Sequence, residues 1–221
     1  MNSPADSAMH QQLARRLRHE IGDFLQKLYA TVAILQQRLP QDFGPERDLL
    51  TRLRARAENC RHLVDEIQDF LCPMTLHCEH TNIAELAGRL VAKLSGRHPG
   101  IDVQFEGDPA LYANVDPARM AQVGEVLLTN ACESGSRQVR FTSRQLPETG
   151  EVEWVVSDNG SGVPSELEGQ LFTPFFTTRT VHAGLGLTLV RKIVELHHGQ
   201  VEAENSPGKG FRVTVRLPIG T

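Results

Sequence analysis

Val155-Val156-Ser157-Asp158-Asn159-Gly160-Ser161-Gly162-Val163-Pro164 is the stretch on which the fold turns: an apolar strand ends on a carboxylate, and two glycines follow. A strand-end Asp can accept a hydrogen bond from an exocyclic amine, and glycines let a flat ring approach the backbone. A plain turn uses the same residues, so this stretch alone does not decide between them. Downstream, Ala183-Gly184-Leu185-Gly186-Leu187-Thr188 opens an amphipathic helix. Glycines there expose N–H groups that attract phosphate, or simply loosen a helix entry. Between the two, Leu171-Phe172-Thr173-Pro174-Phe175-Phe176-Thr177-Thr178-Arg179 sets adjacent aromatics beside hydroxyls and a cation, as core or as the hinge of a lid over nucleotide phosphates. Upstream, an apolar helical face from Gln122 to Ala131 carries Asn130, either a helix-terminal hydrogen-bonder or a hard oxygen ligand for Mg²⁺.

Taken in this order, the four stretches resemble the Bergerat-type ATPase domain of sensor histidine kinases and gyrase, over about residues 75 to 218. The resemblance implies ATP and Mg²⁺ as cofactors, with Asn130 as the Mg²⁺ ligand and Asp158 reading the adenine. It sets Gly160 and Gly162 beside the base, Phe175, Thr178 and Arg179 on the lid, and Gly184, Leu185 and Gly186 around the phosphates. Two positions depart from the family pattern: Val126 stands where a polar residue is usual, and His182 replaces the first glycine of the third glycine motif. The short link from Thr178 to Gly184 resembles the lids of nitrogen-regulation-type kinases.

The N-terminal third has a different pattern. Leu17, Ile21, Phe24, Leu28, Val32, Leu35 and Leu39 recur at helical spacing and predict an amphipathic helix of about seven turns from Leu13 to Leu39. Pro40, Gly44 and Pro45 break it, and a heptad follows on Leu50, Leu53, Ala57, Cys60, Val64, Ile67 and Leu71. This is an antiparallel helical hairpin, and since one hairpin leaves much of two apolar stripes wet, pairing as a homodimer into a four-helix bundle is expected. The pattern stops at Cys72-Pro73, which places a boundary at about residues 72 to 75 and two domains at 1–72 and 73–221.

Beyond the boundary, strands are expected near Met74–His80, Ile101–Glu106, Tyr112–Val115, Val139–Gln145, Glu151–Ser157, Gln200–Asn205 and Gly210–Leu217. Helices are expected at Ile83–Leu94, Pro117–Ser134 and Gly184–His197. The fold class is therefore α+β, a helical hairpin followed by an α/β-sandwich domain.

Leu17-Arg18-His19-Glu20-Ile21-Gly22-Asp23-Phe24-Leu25, in the first helix, resembles the phosphoacceptor box of dimerising histidine kinases. His19 lies about 200° around the helix from Leu17 and from Ile21, off the apolar seam, where its imidazole can reach solvent. A lone exposed His is ordinarily a solvated side chain; the ATPase resemblance makes it the phosphoacceptor. Glu20 takes the family's general-base role, because an imidazole nitrogen attacks better when a carboxylate accepts the opposite proton. Asp23 occupies the position where the family carries Asn or Thr to position water against the partner's phospho-aspartate, and its negative charge is unfavourable there. The activity implied is that of a protein-histidine kinase passing its phosphoryl group to a response-regulator receiver domain. The alternative is a degenerate kinase acting as a phosphotransferase or scaffold.

The chain's 23 basic residues against 27 acidic ones, a formal charge of −4, create no field that would gather nucleic acid. Cys60, Cys72, Cys78 and Cys132 form no C-x-x-C pair and read as reduced thiols. No apolar run approaches the ~20 residues of a membrane span, and the expected location is cytoplasmic. No sensor module fits before His19, so a separate sensor protein supplies the input or the chain is a fragment.

Overall fold

The computed structural model describes residues 4–40, 43–178, 183–206 and 210–220, excepting the side chains of 4–15 and 206. Its chain divides into two compact units. One holds the hairpin as far as Met74 with the described residues between Thr177 and Leu185; the other runs from Thr75 to Phe176 and resumes at Gly186.

In the first unit, α1 (Pro4–Arg38) and α2 (Gly44–Leu71) pack against each other. The end of α1 leaves carbonyls without intrahelical partners, and Arg47 of α2 supplies donors, its Nη2 lying 3.0 Å from the Gln36 carbonyl oxygen and 2.9 Å from that of Leu39. Pro45 in the first turn of α2 fits a position that needs no N–H donor. At the far end Cys72 turns extended (ψ 146°) ahead of Pro73, and the helix stops.

The second unit runs β1 (Glu79–Asn82), α3 (Ile83–Ser95), β2 (Asp102–Gly107), β3 (Tyr112–Val115), α4 (Pro117–Glu133), β4 (Gln138–Leu146), β5 (Glu151–Asp158), α5 (Gly186–Leu196), β6 (Gln200–Ser206) and β7 (Gly210–Pro218). A short 3-10 helix, Ser165–Gln170, follows β5. Five strands form one sheet in the order β2-β4-β5-β7-β6, antiparallel except where β2 meets β4. Helices α3, α4 and α5 pack on it, α4 between the other two. Phe141, Trp154, Val156, Val213 and Val215 alternate toward the helices and meet buried Leu90, Leu127, Leu128 and Ile193. Phe141 stands edge-on to Trp154 with ring centroids 5.0 Å apart.

In the first unit α1 begins at Pro4, ahead of the Leu13 expected from the apolar stripe, because a helix needs no apolar contact to satisfy its backbone. In the second unit two elements also differ from the sequence expectation. The strand expected at Met74–His80 is Glu79–Asn82, because its only ladder partner is the four-residue β3, in a separate two-stranded sheet pairing Glu79 with Val115. The helix expected from Gly184 starts at Gly186, because Gly184 adopts a left-handed φ of 69° that no helix contains. It closes before His198, whose φ is 60°.

Buried polar groups tie this unit together. Asp116 caps α4 by accepting from the Ala118 and Arg119 amides at 3.0 Å, and also accepts from the His77 amide at 2.9 Å. Burial pushes its carboxyl up, but those backbone donors and the Arg119 charge outweigh it and hold it below the usual carboxylate range. Its own amide donates to His197 Nε2 at 3.0 Å, while His197 Nδ1 donates to the Ile193 carbonyl, so the end of α5 is fixed to the start of α4. On the sheet face away from the helices, buried Glu153 takes Arg144 at 2.6 Å and Arg216 at 3.1 Å. Burial raises its pKa; the two guanidiniums bring it below the ordinary value.

Candidate nucleotide and phosphoacceptor sites

Asp158 continues the inward row of Val152, Trp154 and Val156, so the sheet aims its carboxylate at the helix layer, at the end of α4. There Ser134, just past the helix, donates from Oγ to Asp158 Oδ1 at 2.9 Å, and the Gly160 amide donates to the same oxygen at 2.8 Å. These bonds help to orient the carboxylate. The following strap is pinned at Asn159, whose Oδ1 accepts from the Arg137 amide at 2.9 Å and the Gln138 amide at 3.0 Å.

The two glycines have distinct physical reasons. A Cβ on Gly160 would strike the Ser134 hydroxyl and lie 2.7 Å from its carbonyl oxygen, whereas Gly162 takes a left-handed φ of 66°. Gly210 is equally constrained, since a Cβ there would overlap the Asp158 carbonyl and come within 3.1 Å of Asn159 Cα. Gly160, in the loop after β5, and Gly210, at the start of β7, thus close on Asp158 from two separate elements.

Asn130 sits on a half-exposed stripe of α4 with Gln122 and Val126. Val126 faces the place where a Cβ on Gly186 would be, 3.1 Å from its Cγ1, so an apolar residue here packs on the bare start of α5. Among the described residues no three His, Cys, Asp or Glu side chains converge as a metal site. A cation at Asn130 would take one amide oxygen and complete its shell from phosphates and water, the habit of Mg²⁺.

The segment expected to open a lid is held to α5 at Phe172. Arg191 lies over the Phe172 ring, 4.2 Å from its centroid, and Thr188 Oγ1 donates to the Phe172 carbonyl at 3.2 Å. Phe175 is 61% exposed and holds a left-handed φ of 65°, uncommon for a bulky side chain. Thr178 is exposed, Leu185 is fully buried, and Arg179 and His182 lie outside the described residues.

On α1 the His19 side chain is 77% exposed, and its Nδ1 lies 3.3 Å from Asp23 Oδ2 one turn on. Glu20, the carboxylate expected at the ring, accepts instead from Arg16 Nε at 2.9 Å. Arg18 reaches Asp65 of α2 at 3.4 Å. Ser134, Asn159 and Gly210 escape a reading of the sequence, because their partners are distant in the chain; only Ser134, directly after the Asn130 motif, carries a local hint.

Residues 115–221 match the family described as histidine kinase-, DNA gyrase B- and HSP90-like ATPase. The sensor histidine kinase ZraS of Klebsiella oxytoca is 30% identical over 212 residues, which is 94% of this chain and 46% of that protein. The catalytic domain of histidine kinase ThkA is 30% identical with a TM-score of 0.60, covering 65% of this chain and 97% of that domain. ThkA solved in complex with response regulator protein TrrA gives a TM-score of 0.65 at 26% identity, over 94% of this chain and 61% of that one. The chain thus spans about half the length of the curated kinase it matches. No helix among the described residues is long and apolar enough to cross a membrane.

Proposed function

Because this chain belongs to the sensor histidine kinase family, we propose that it transfers the γ-phosphoryl group of ATP to His19 and then to an aspartate of a response-regulator receiver domain. One observation carries the reading: an exposed His19, with a carboxylate at its Nδ1, shares a chain with an inward-aimed, hydrogen-bond-oriented Asp158 at the mouth of an ATPase-type sheet. The ThkA complex with its regulator supports the partner.

In the proposed reaction Asp158 accepts from the adenine amine, Gly160 and Gly162 border the base, and the glycine-rich segment Gly184, Leu185, Gly186 holds phosphates. Phe175, Thr178 and Arg179 belong to the lid. Asn130 would contribute its amide oxygen to Mg²⁺, which supplies neutralisation of phosphate charge when bound. With its Nδ1–H hydrogen-bonded to Glu20 or Asp23, His19 presents the Nε2 lone pair, and the Nδ1 proton passes to that carboxylate as Nε2 attacks. A phosphorus–nitrogen bond forms as the bond to the ADP oxygen breaks, and ADP leaves with the electron pair. The resulting phosphoramidate is reactive enough that passage to the partner's aspartate needs mainly alignment. Residues 1–72 serve as the dimerisation and phosphotransfer domain of a cytoplasmic homodimer, and 73–221 as the catalytic domain.

The test is incubation with γ-labelled ATP and Mg²⁺. Label is expected to be acid-labile and alkali-stable, and to vanish in His19→Ala while ATP affinity holds. Label surviving that substitution, or an acid-stable bond, would overturn the assignment. The departures at Val126 and His182 are what a degenerate scaffold would draw on; Val126 has a packing role against Gly186, and undetectable ATP binding is the result that would favour the scaffold.

A further inference from the structure

Asn205 is the penultimate residue of the edge strand β6, and its side chain makes contacts that nothing in its own neighbourhood of sequence requires. Its Oδ1 accepts from the Val163 amide at 2.6 Å, its Nδ2 donates to the Val163 carbonyl at 2.5 Å, and the same Nδ2 donates to Glu168 Oε1 at 2.9 Å. Two acceptors use both amide protons, and the oxygen takes the one available N–H. The carboxamide therefore does for Val163 what a neighbouring strand would do, fastening an irregular strap to the outer edge of the sheet.

What it fastens matters. Val163 follows directly on Gly162, whose left-handed φ of 66° sets the course of the strap after Asp158. Glu168 belongs to the 3-10 helix Ser165–Gln170, which leads without interruption into the Phe172 anchor of the lid. The upstream end of the strap is pinned by Ser134 and by Asn159. Its downstream end depends on the pair of bonds from Asn205, together with the Asn205–Glu168 bond. Loss of that clamp frees Gly162, the residue with the widest backbone choice, to leave its φ.

We propose that Asn205 is a positioning residue for the nucleotide site: acting through Val163 and Glu168, it fixes both the glycine wall beside the adenine and the base of the lid. This rests on the reading of Asp158 as the adenine acceptor. The chemistry demands an amide, for an Asp would keep the acceptor for the Val163 N–H, lose both donors and set a carboxylate against Glu168 and the Val163 carbonyl. Asn205 touches no reacting atom, so its removal is expected to act on nucleotide affinity and leave the maximal rate of labelling at saturating ATP within about twofold.

The experiment measures ATP affinity by calorimetry, labelling rate against ATP concentration, thermal melting, and amide exchange along Gly160–Gln170, on the full chain. Asn205→Asp is expected to weaken ATP about tenfold with an unchanged maximal rate and faster exchange at Val163. Adding Glu168→Gln supplies a donor toward the new carboxylate and is expected to recover a good part of the affinity. Asp158→Asn is the control for the underlying reading. If it weakens ATP while Asn205→Asp, folded by its melting curve, does not, the positioning role is wrong and the adenine site stands. If Asp158→Asn leaves affinity unchanged, the adenine reading itself falls, and the positioning role with it. A loss in Asn205→Asp matched by a general fall in melting temperature, with no recovery from Glu168→Gln, would reduce Asn205 to a stability residue and overturn the proposal.

Discussion

The hairpin and the sheet unit use apolar residues in opposite ways. In the sheet unit Trp154, Phe141, Ile83, Met120 and Leu127 are fully buried, whereas in the hairpin Leu25, Val32 and Ala57 are the buried apolar side chains among the described residues. Phe24 and Leu49 are 63% and 62% exposed, and Ile34, Leu35 and Leu53 are exposed as well. Strands must find distant partners to satisfy their backbones, so the sheet unit closes a core on itself. Helices satisfy their backbones locally and leave side-chain burial to whatever packs on them. The proposed adenine acceptor, Asp158, lies on the unit that is complete alone, and the proposed phosphoacceptor, His19, on one whose exposed apolar surface is proposed to meet a second copy.

The sharpest way to separate the two regions is at His19, where chemistry should fail and binding should not. The Arg16–Glu20 ion pair is exposed at both ends, where water and salt screen it, so it does not keep Glu20 from the imidazole. Glu20→Gln is therefore expected to slow labelling by ~10²–10⁴-fold at constant ATP affinity. Asp23→Asn, which retains a side chain of the same size beside Nδ1, is expected to cost roughly tenfold or less. A larger loss at Asp23 than at Glu20 would transfer the base to the carboxylate that lies against the ring here.

Dimerisation comes next in size. Burying a Phe contributes ~1.5–3 kcal/mol, and a symmetric interface counts each residue twice, so Phe24→Asp should raise the dimer dissociation constant by roughly 10²-fold or more. Sedimentation equilibrium measures it, and the melting of the sheet unit should not move. An unmutated chain sedimenting as a monomer at micromolar concentration would end the comparison as drawn.

Much of this contrast is legible in the sequence, because each feature rests on periodicity or on a glycine fixed by its motif. The hairpin follows from the stripes Leu17–Leu39 and Leu50–Leu71, and six of the seven strands follow from alternation. What escapes is whatever depends on pairing across the fold. The strand expected from Met74 shortens to β3's length. Gly160 reads as room for a ring, while the structure shows that Ser134 already crowds it. Glu20 is the natural partner of His19 by adjacency, yet one helical turn brings Asp23 to Nδ1. Asn205 and Val163 are joined by geometry that no local pattern announces.

A smaller difference concerns acid. Glu153 and Asp116, both in the sheet unit, have carboxyls held below the usual range, so each contributes stability that is full above its unfolded pKa of roughly 4 and is lost as pH falls through the lower folded value. The sheet unit is expected to lose stability as pH drops below about 4. Glu153→Gln should remove ~1.5–3 kcal/mol at neutral pH, the range for hydrogen bonds to a charged group, and flatten that acid limb. Denaturant melts across pH 2.5 to 7 check both, and an acid limb unchanged in the variant would assign it to other carboxylates.

The smallest effect uses one substitution in both regions. Gly22 lies inside α1 with nothing within 4 Å of where a Cβ would stand, while a Cβ on Gly124 in α4 would run into Leu90 Cδ1 and lie 3.6 Å from the Trp154 ring. A mid-helix Gly costs ~0.5–1 kcal/mol relative to Ala through the backbone freedom it surrenders on folding. Gly22→Ala should therefore stabilise the hairpin by that amount, and Gly124→Ala should destabilise the sheet unit, because Leu90 must move in a packed core. Opposite signs in thermal melts are the expected outcome. Gly22 is open in the single chain, so the result also reports on the dimer. If the second copy's helix approaches at Gly22, the added methyl destabilises the pair, and the melting temperature falls with a stronger dependence on protein concentration. A gain independent of concentration places Gly22 on the outer face of the bundle, the same side from which His19 would meet ATP and the receiver domain.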